Sequence, residues 1–111
     1  MSDAGDDAAD AADAALRPAH GGRILLELER ADAREVRYAL SLATAESVSR
    51  GTLVLDPSTG AVALECAGAP SWLAEHARRF GAVLVRDHRG VGAPPWPRRV
   101  LRWRPAPAVG D

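Results

Sequence analysis

The thirteen residues Thr52–Leu64 constrain the fold of this chain more than any other stretch. Two runs of strand-forming side chains flank Asp56-Pro57-Ser58-Thr59-Gly60, and each of those five residues suits a turn. Asp56 can hydrogen-bond its own backbone, Pro57 pre-sets φ, and Gly60 can take a positive φ to re-enter a strand. The pattern predicts a β-hairpin with strands over Val48–Asp56 and Gly60–Cys66, Leu53 and Leu55 sharing one face as do Val62 and Leu64.

The flanking segments extend this hairpin into a domain. Arg23–Arg30 alternates, with Ile24, Leu26 and Leu28 on one side and Leu25, Glu27 and Glu29 on the other, which predicts a strand with one buried face. Asp32 and Glu35 have the spacing of a capping box, opening a helix to about Ala45 whose inner stripe is Val36, Ala39 or Leu40, and Ala43. After the hairpin, Gly68-Ala69-Pro70 breaks the strand. A second helix is expected there, with Leu73, Ala77 and Phe80 inward and Gly81 as its C-terminal cap. Ala82–Val85 is a short apolar run that suits a buried strand. The order is then β-α-β-β-α-β, an α+β ferredoxin-like split βαβ sandwich over residues 23–86, with a four-stranded antiparallel sheet and two helices on one face.

The two ends differ in charge. Residues 1–22 carry five aspartates against Arg17 alone and are rich in alanine, with no large apolar stripe to bury. A disordered acidic tail is expected there. Residues 87–111 form a Pro/Arg/Trp-rich extension, in which Val100–Trp103 could add a fifth strand at a sheet edge. All 14 basic residues are arginine, which a GC-rich coding sequence explains without selection for function.

From Ala31 to Leu64 the chain resembles a family of short uncharacterised bacterial domains. The likeness rests on Asp32, Val36 and Leu40 as a first helix and on the hairpin Leu55-Asp56-Pro57-Ser58-Thr59-Gly60-Ala61-Val62-Ala63-Leu64. It implies no catalytic residue, since that family has no assigned activity. The element order is also similar to small regulatory ligand-binding domains of the ACT type. Their glycine-rich first turn is replaced here by Glu29-Arg30-Ala31-Asp32-Ala33.

Residues that carry chemistry are sparse. Cys66, the single cysteine, ends an expected strand and reads as a small core residue. His20, His76 and His88 lie in a tail, a helix and a loop, without metal-ligand spacing. Glu27 and Glu29 read as carboxylates on an exposed sheet face rather than an acid/base dyad, and Gly90-x-Gly92 lacks the lysine and helix of a phosphate loop. No enzymatic activity, cofactor or metal is expected. The remaining constellation is Trp96, Arg98, Arg99, Arg102 and Trp103, a mixture that suits protein contacts and also suits single-stranded nucleic acid.

A domain of this size buries only about 60% of its unfolded surface, and a sheet with one open face exposes Leu25 and Val54 among charges. The expected function is a non-enzymatic interaction or adaptor module, a homodimer or a subunit of an assembly. The alternatives are a small regulatory ligand-binding domain and nucleic-acid binding through the arginine-rich segment. One cysteine and no apolar run near the ~20 residues of a membrane span lead to an expected cytoplasmic location away from membranes.

Overall fold

The structure, a computed structural model, describes residues 12–108. A first helix, α1, is described over residues 12–16. It is followed by strands β1 (Gly22–Ala31), β2 (Val36–Thr44), β3 (Val48–Leu55) and β4 (Val62–Glu65), the long helix α2 (Ser71–His88) and strand β5 (Arg99–Arg104). The strands form one sheet in the order β4-β3-β2-β1-β5, and every neighbouring pair is antiparallel.

This is an α+β fold, but not the split βαβ arrangement. Asp32 opens a hairpin turn instead of a helix. Its Oδ1 accepts from the backbone N–H groups of Arg34 and Glu35 at 2.8 Å each, while its own N–H donates to the Glu35 carbonyl at 3.0 Å. The two carboxylate bonds are those a helix cap would make, so the side-chain chemistry of Asp-x-x-Glu suits both outcomes, while the Asp32 N–H to Glu35 carbonyl bond closes the hairpin. The following residues decide between them. Val36, Tyr38, Leu40 and Leu42 are all buried on one side of β2, a period of two that gives a strand its apolar face. The first-helix positions of the family resemblance, Asp32, Val36 and Leu40, are therefore the β1–β2 turn and strand β2.

The second half differs as well. Gly81 does not end the helix, which continues to His88 and absorbs the strand expected over Ala82–Val85. Leu73, Ala77, Gly81, Leu84 and Val85 form one buried stripe at helical spacing. Gly81 is there for proximity: a Cβ would come within 3.1 Å of Val62 and 3.2 Å of Leu53. The helix lies against the sheet at this point.

The hairpin at Asp56 forms as its residues require. Asp56 Oδ1 accepts from the Ser58 N–H and hydroxyl, at 2.8 and 2.6 Å, and Gly60 has a φ of 81°. A third turn is built likewise around Thr44, whose Oγ1 accepts from the N–H groups of Glu46 and Ser47.

The core lies between α2 and one face of the sheet. Ile24 and Leu26 of β1, the alternate residues of β2, Leu53 and Leu55 of β3 and Val100 of β5 meet Leu73, Ala77, Leu84 and Val85 of the helix. Tyr38 is fully buried there, and its hydroxyl donates to the Pro97 carbonyl at 2.8 Å. Burial pushes its phenol up to about 12. The sheet thus runs past the domain end expected at residue 86. The fifth edge strand forms beside β1, and the linker before it is pinned by Tyr38 and by the Leu28 N–H donating to the Arg98 carbonyl at 2.8 Å. Of the acidic tail expected over residues 1–22, residues 1–11 lie outside the described residues. Residues 12–22 are α1, a connection with Pro18 buried, and the first residue of β1.

Candidate interaction surface

Because side chains alternate along a strand, β1, β2, β3 and β5 each send every second residue to the face opposite α2. The register sets these residues in rows. Arg50, Ser41, Leu25 and Leu101 form one row, Thr52, Ala39, Glu27 and Arg99 a second, and Val48, Ala43, Arg23 and Trp103 a third. The outer face has a small, partly apolar floor ringed by arginines.

One end of it is covered. The Arg23 guanidinium donates to the carbonyls of Ala15 and Leu16, at 3.0 and 3.2 Å, and so caps the C-terminal end of α1. A cation at that end also suits the helix dipole. Arg50 pairs with Asp13 and donates to the Ser41 hydroxyl. The short helix therefore lies across the strands, Asp13 over β3 and its last carbonyls over β1. Beneath and beside it Leu25, Ser41 and Ala43 are buried although they face away from α2. A groove of about 650 Å³ remains between α1 and the sheet, lined among others by Leu25, Glu27, Ser41, Arg99 and Leu101.

The candidate contact residues do not form one strip. Trp96 packs against the core, its ring 5.5 Å from that of His88, whose Nδ1 lies 3.1 Å from the Pro94 carbonyl. It is a structural anchor for the linker. Arg98 is exposed, with its carbonyl engaged by Leu28. On β5 the alternation separates the rest. Arg99 and Trp103 lie on the outer face, whereas Arg102 lies on the helix side with its guanidinium 5.4 Å from the centre of the Phe80 ring. Trp103 is oriented rather than loose: its Nε1 donates to the His20 carbonyl at 2.9 Å, and the His20 ring meets it edge-on at 5.4 Å.

Leu101, not among the residues expected to make contacts, stands 41% exposed on the outer face beside Trp103 at 42%. Strand alternation through Arg99-Val100-Leu101-Arg102-Trp103 is the signal that places them together. Arg23 and Arg50 are likewise unannounced, since nothing in the sequence signals that α1 returns to them.

The other reactive groups are dispersed. Cys66 is partly buried against the core, and burial pushes its thiol up, away from the reactive thiolate. Among the described residues no group of three or more His, Cys, Asp or Glu side chains could hold a metal ion, and no helix is long and apolar enough to cross a membrane. The carboxylates of Asp32 and Asp56 are held below the usual range, the first by two turn N–H groups and the second by the hydroxyl and N–H of Ser58. Glu75 is lowered by hydrogen bonds from Arg78 on the same turn of α2. These are turn and surface devices.

No family model, no curated protein and no solved structure matches the chain.

Proposed function

We propose that this chain is a non-enzymatic interaction module, self-associating or a subunit of an assembly, whose contact surface is the β5 margin of the sheet. One observation carries the reading: Leu101 and Trp103 stand exposed side by side on the outer face of the last strand, next to Arg99. Covering these two side chains with a partner would release apolar surface from water, and tryptophan and arginine are enriched among the contacts that dominate binding. Trp103 is also pre-oriented by His20, so little of its freedom is lost on association.

The test compares the full chain with L101S/W103S by light scattering and by pull-down from the source cells. A mass above that of the monomer, or a stoichiometric partner, is expected, and the double variant loses it. A chain that stays monomeric and alone, or an association indifferent to the substitutions, overturns the reading.

The groove supports a second reading, a small regulatory ligand site. Its volume suits a small molecule, and Arg99 beside Leu25 and Leu101 suits an anionic group with an apolar body, while Arg23 and Arg50 are engaged by α1 and Glu27 shares the lining. A thermal-shift screen of amino acids, nucleotides and organic acids separates the two, since only this reading expects stabilisation that R99A removes. Nucleic-acid binding draws less support, because Arg99 and Arg102 lie on opposite sides of β5.

A further inference from the structure

We propose that β5 is a docking edge for an extended acidic segment of another protein, which adds to the sheet as a further strand. The inference rests on the interaction-module reading and names the partner's chemistry.

Among the described residues, strand β5 ends the sheet at one side. The Leu28 N–H donates to the Arg98 carbonyl, so the even-numbered residues of this stretch turn their backbone groups toward β1. The backbone groups of Arg99, Leu101 and Trp103 then point outward, a row of donors and acceptors ready for another strand. Two of the outward carbonyls are already engaged. Arg102 Nη1 donates to the Leu101 carbonyl at 3.0 Å, and Arg104 Nη1 donates to the Trp103 carbonyl at 2.8 Å. Each guanidinium belongs to the residue just after the carbonyl it covers.

This arrangement selects among partners. A neutral strand would have to displace both guanidiniums and would give them nothing in return. An acidic strand offers an exchange: its N–H groups take over the carbonyls while its carboxylates receive the arginines. A second copy of β5 is disfavoured by charge. In a two-fold antiparallel pairing the register centred on Leu101 sets Arg98 against Arg104, and the one centred on Arg102 sets that residue against its own copy. Centring on Val100 or Trp103 sets Arg102 against Arg98 or Arg104.

The faces of β5 specify the partner further. Residues opposite each other across a sheet share a face, so carboxylates belong opposite Arg102 and Arg104, and apolar side chains opposite Leu101 and Trp103. The fitting segment alternates Asp or Glu with apolar residues over six to eight positions. The chain's own residues 1–11 are acidic, but their alanines, glycine and aspartates are poor strand formers and offer no apolar alternation. The partner is another protein.

The test titrates the isotopically labelled full chain with three synthetic octapeptides: alternating glutamate and valine, the same with lysine for glutamate, and the glutamate peptide N-methylated along its pairing edge. The amides of Leu101 and Trp103 are expected to shift and to exchange more slowly with the glutamate peptide alone. N-methylation should weaken binding at least roughly tenfold, and R102E/R104E should transfer the preference to the lysine peptide. Equal binding of the N-methylated peptide overturns strand addition, as do amides of Leu101 and Trp103 that never respond. If L101S/W103S still abolishes association while those amides stay silent, the docking-edge proposal fails and the module reading stands.

Discussion

The two faces of the sheet are made by the same strands and have opposite chemistry. Toward α2 the alternate residues are Ile24, Leu26, Tyr38, Leu40, Leu42, Leu53 and Leu55, closed over by the helix. Away from it the intervening residues are Arg23, Leu25, Glu27, Ala39, Ser41 and Arg50, with Leu101 and Trp103 at the β5 margin. The helix face is held by packing. The outer face is held at one end by α1 through guanidinium contacts, and elsewhere no described element covers it. Stability and recognition are thus assigned to opposite sides of one pleated layer, and a strand that changes register by one residue would exchange them.

The largest effect that checks this division comes from the core. Leu53→Ala and Leu26→Ala, both at fully buried positions, should each cost about 2–5 kcal/mol in denaturant unfolding. Leu101→Ala should stay within about 0.5 kcal/mol. A Leu101 variant as costly as the core ones would break the comparison.

Tyr38→Phe is expected to cost about 0.5–1.5 kcal/mol, because the Pro97 carbonyl loses its donor. The same residue sets an alkaline limit. Burial raises its phenol to about 12, so the folded chain holds this proton more tightly than the unfolded chain. Its contribution is complete below the ordinary value of about 10 and is lost as pH rises toward the folded value. Unfolding followed across that window should fall off less steeply in Tyr38→Phe.

Smaller still is the release of α1. R23A/R50A should change global stability by only ~0–1 kcal/mol, as exposed ion pairs do. It should nonetheless speed hydrogen exchange at the Arg17 amide, which bonds to the Asp13 carbonyl. Protection there that survives both substitutions would mean that α1 is held by packing, like the other face.

The smallest expected change is at acid pH. The Asp32 and Asp56 carboxylates lie below the usual range, so they favour the folded chain above the ordinary carboxylate value and lose that contribution as pH falls through their own. Asp56→Asn should flatten the acid limb of a stability–pH curve. An unchanged limb would show that the turn does not report on folding.

Part of this architecture was legible in the residues. The Asp56–Gly60 turn, the faces of β1 and the edge strand at Val100–Trp103 follow from turn chemistry and period-two alternation. Strand β2 is hidden because Val36, Leu40 and Ala43 also satisfy helical spacing, and the Asp32 carboxylate makes the same bonds in a turn as in a cap. The stronger signal was the placement of turn residues at Asp32, Thr44 and Asp56, twelve positions apart each time, a rhythm that belongs to a meander of strands. Gly81 suggests a stop because glycine often caps helices, whereas its use here depends on Leu53 and Val62 from strands distant in sequence. The candidate site was legible only as composition. Trp96 turns inward to anchor the linker, which no spacing announces; alternation puts Leu101 with Trp103, but which of the two faces is left uncovered is not visible until β5 is set against β1.

The division between a face that folds the chain and a margin that makes its contacts is tested most directly by one paired measurement on L101S/W103S, its thermal midpoint alongside its association, read as light-scattering mass and as recovery of a stoichiometric partner. The account predicts a midpoint close to that of the parent chain and the loss of association. A midpoint that drops while association persists would contradict it, placing Leu101 and Trp103 in the service of the fold and the contact surface elsewhere.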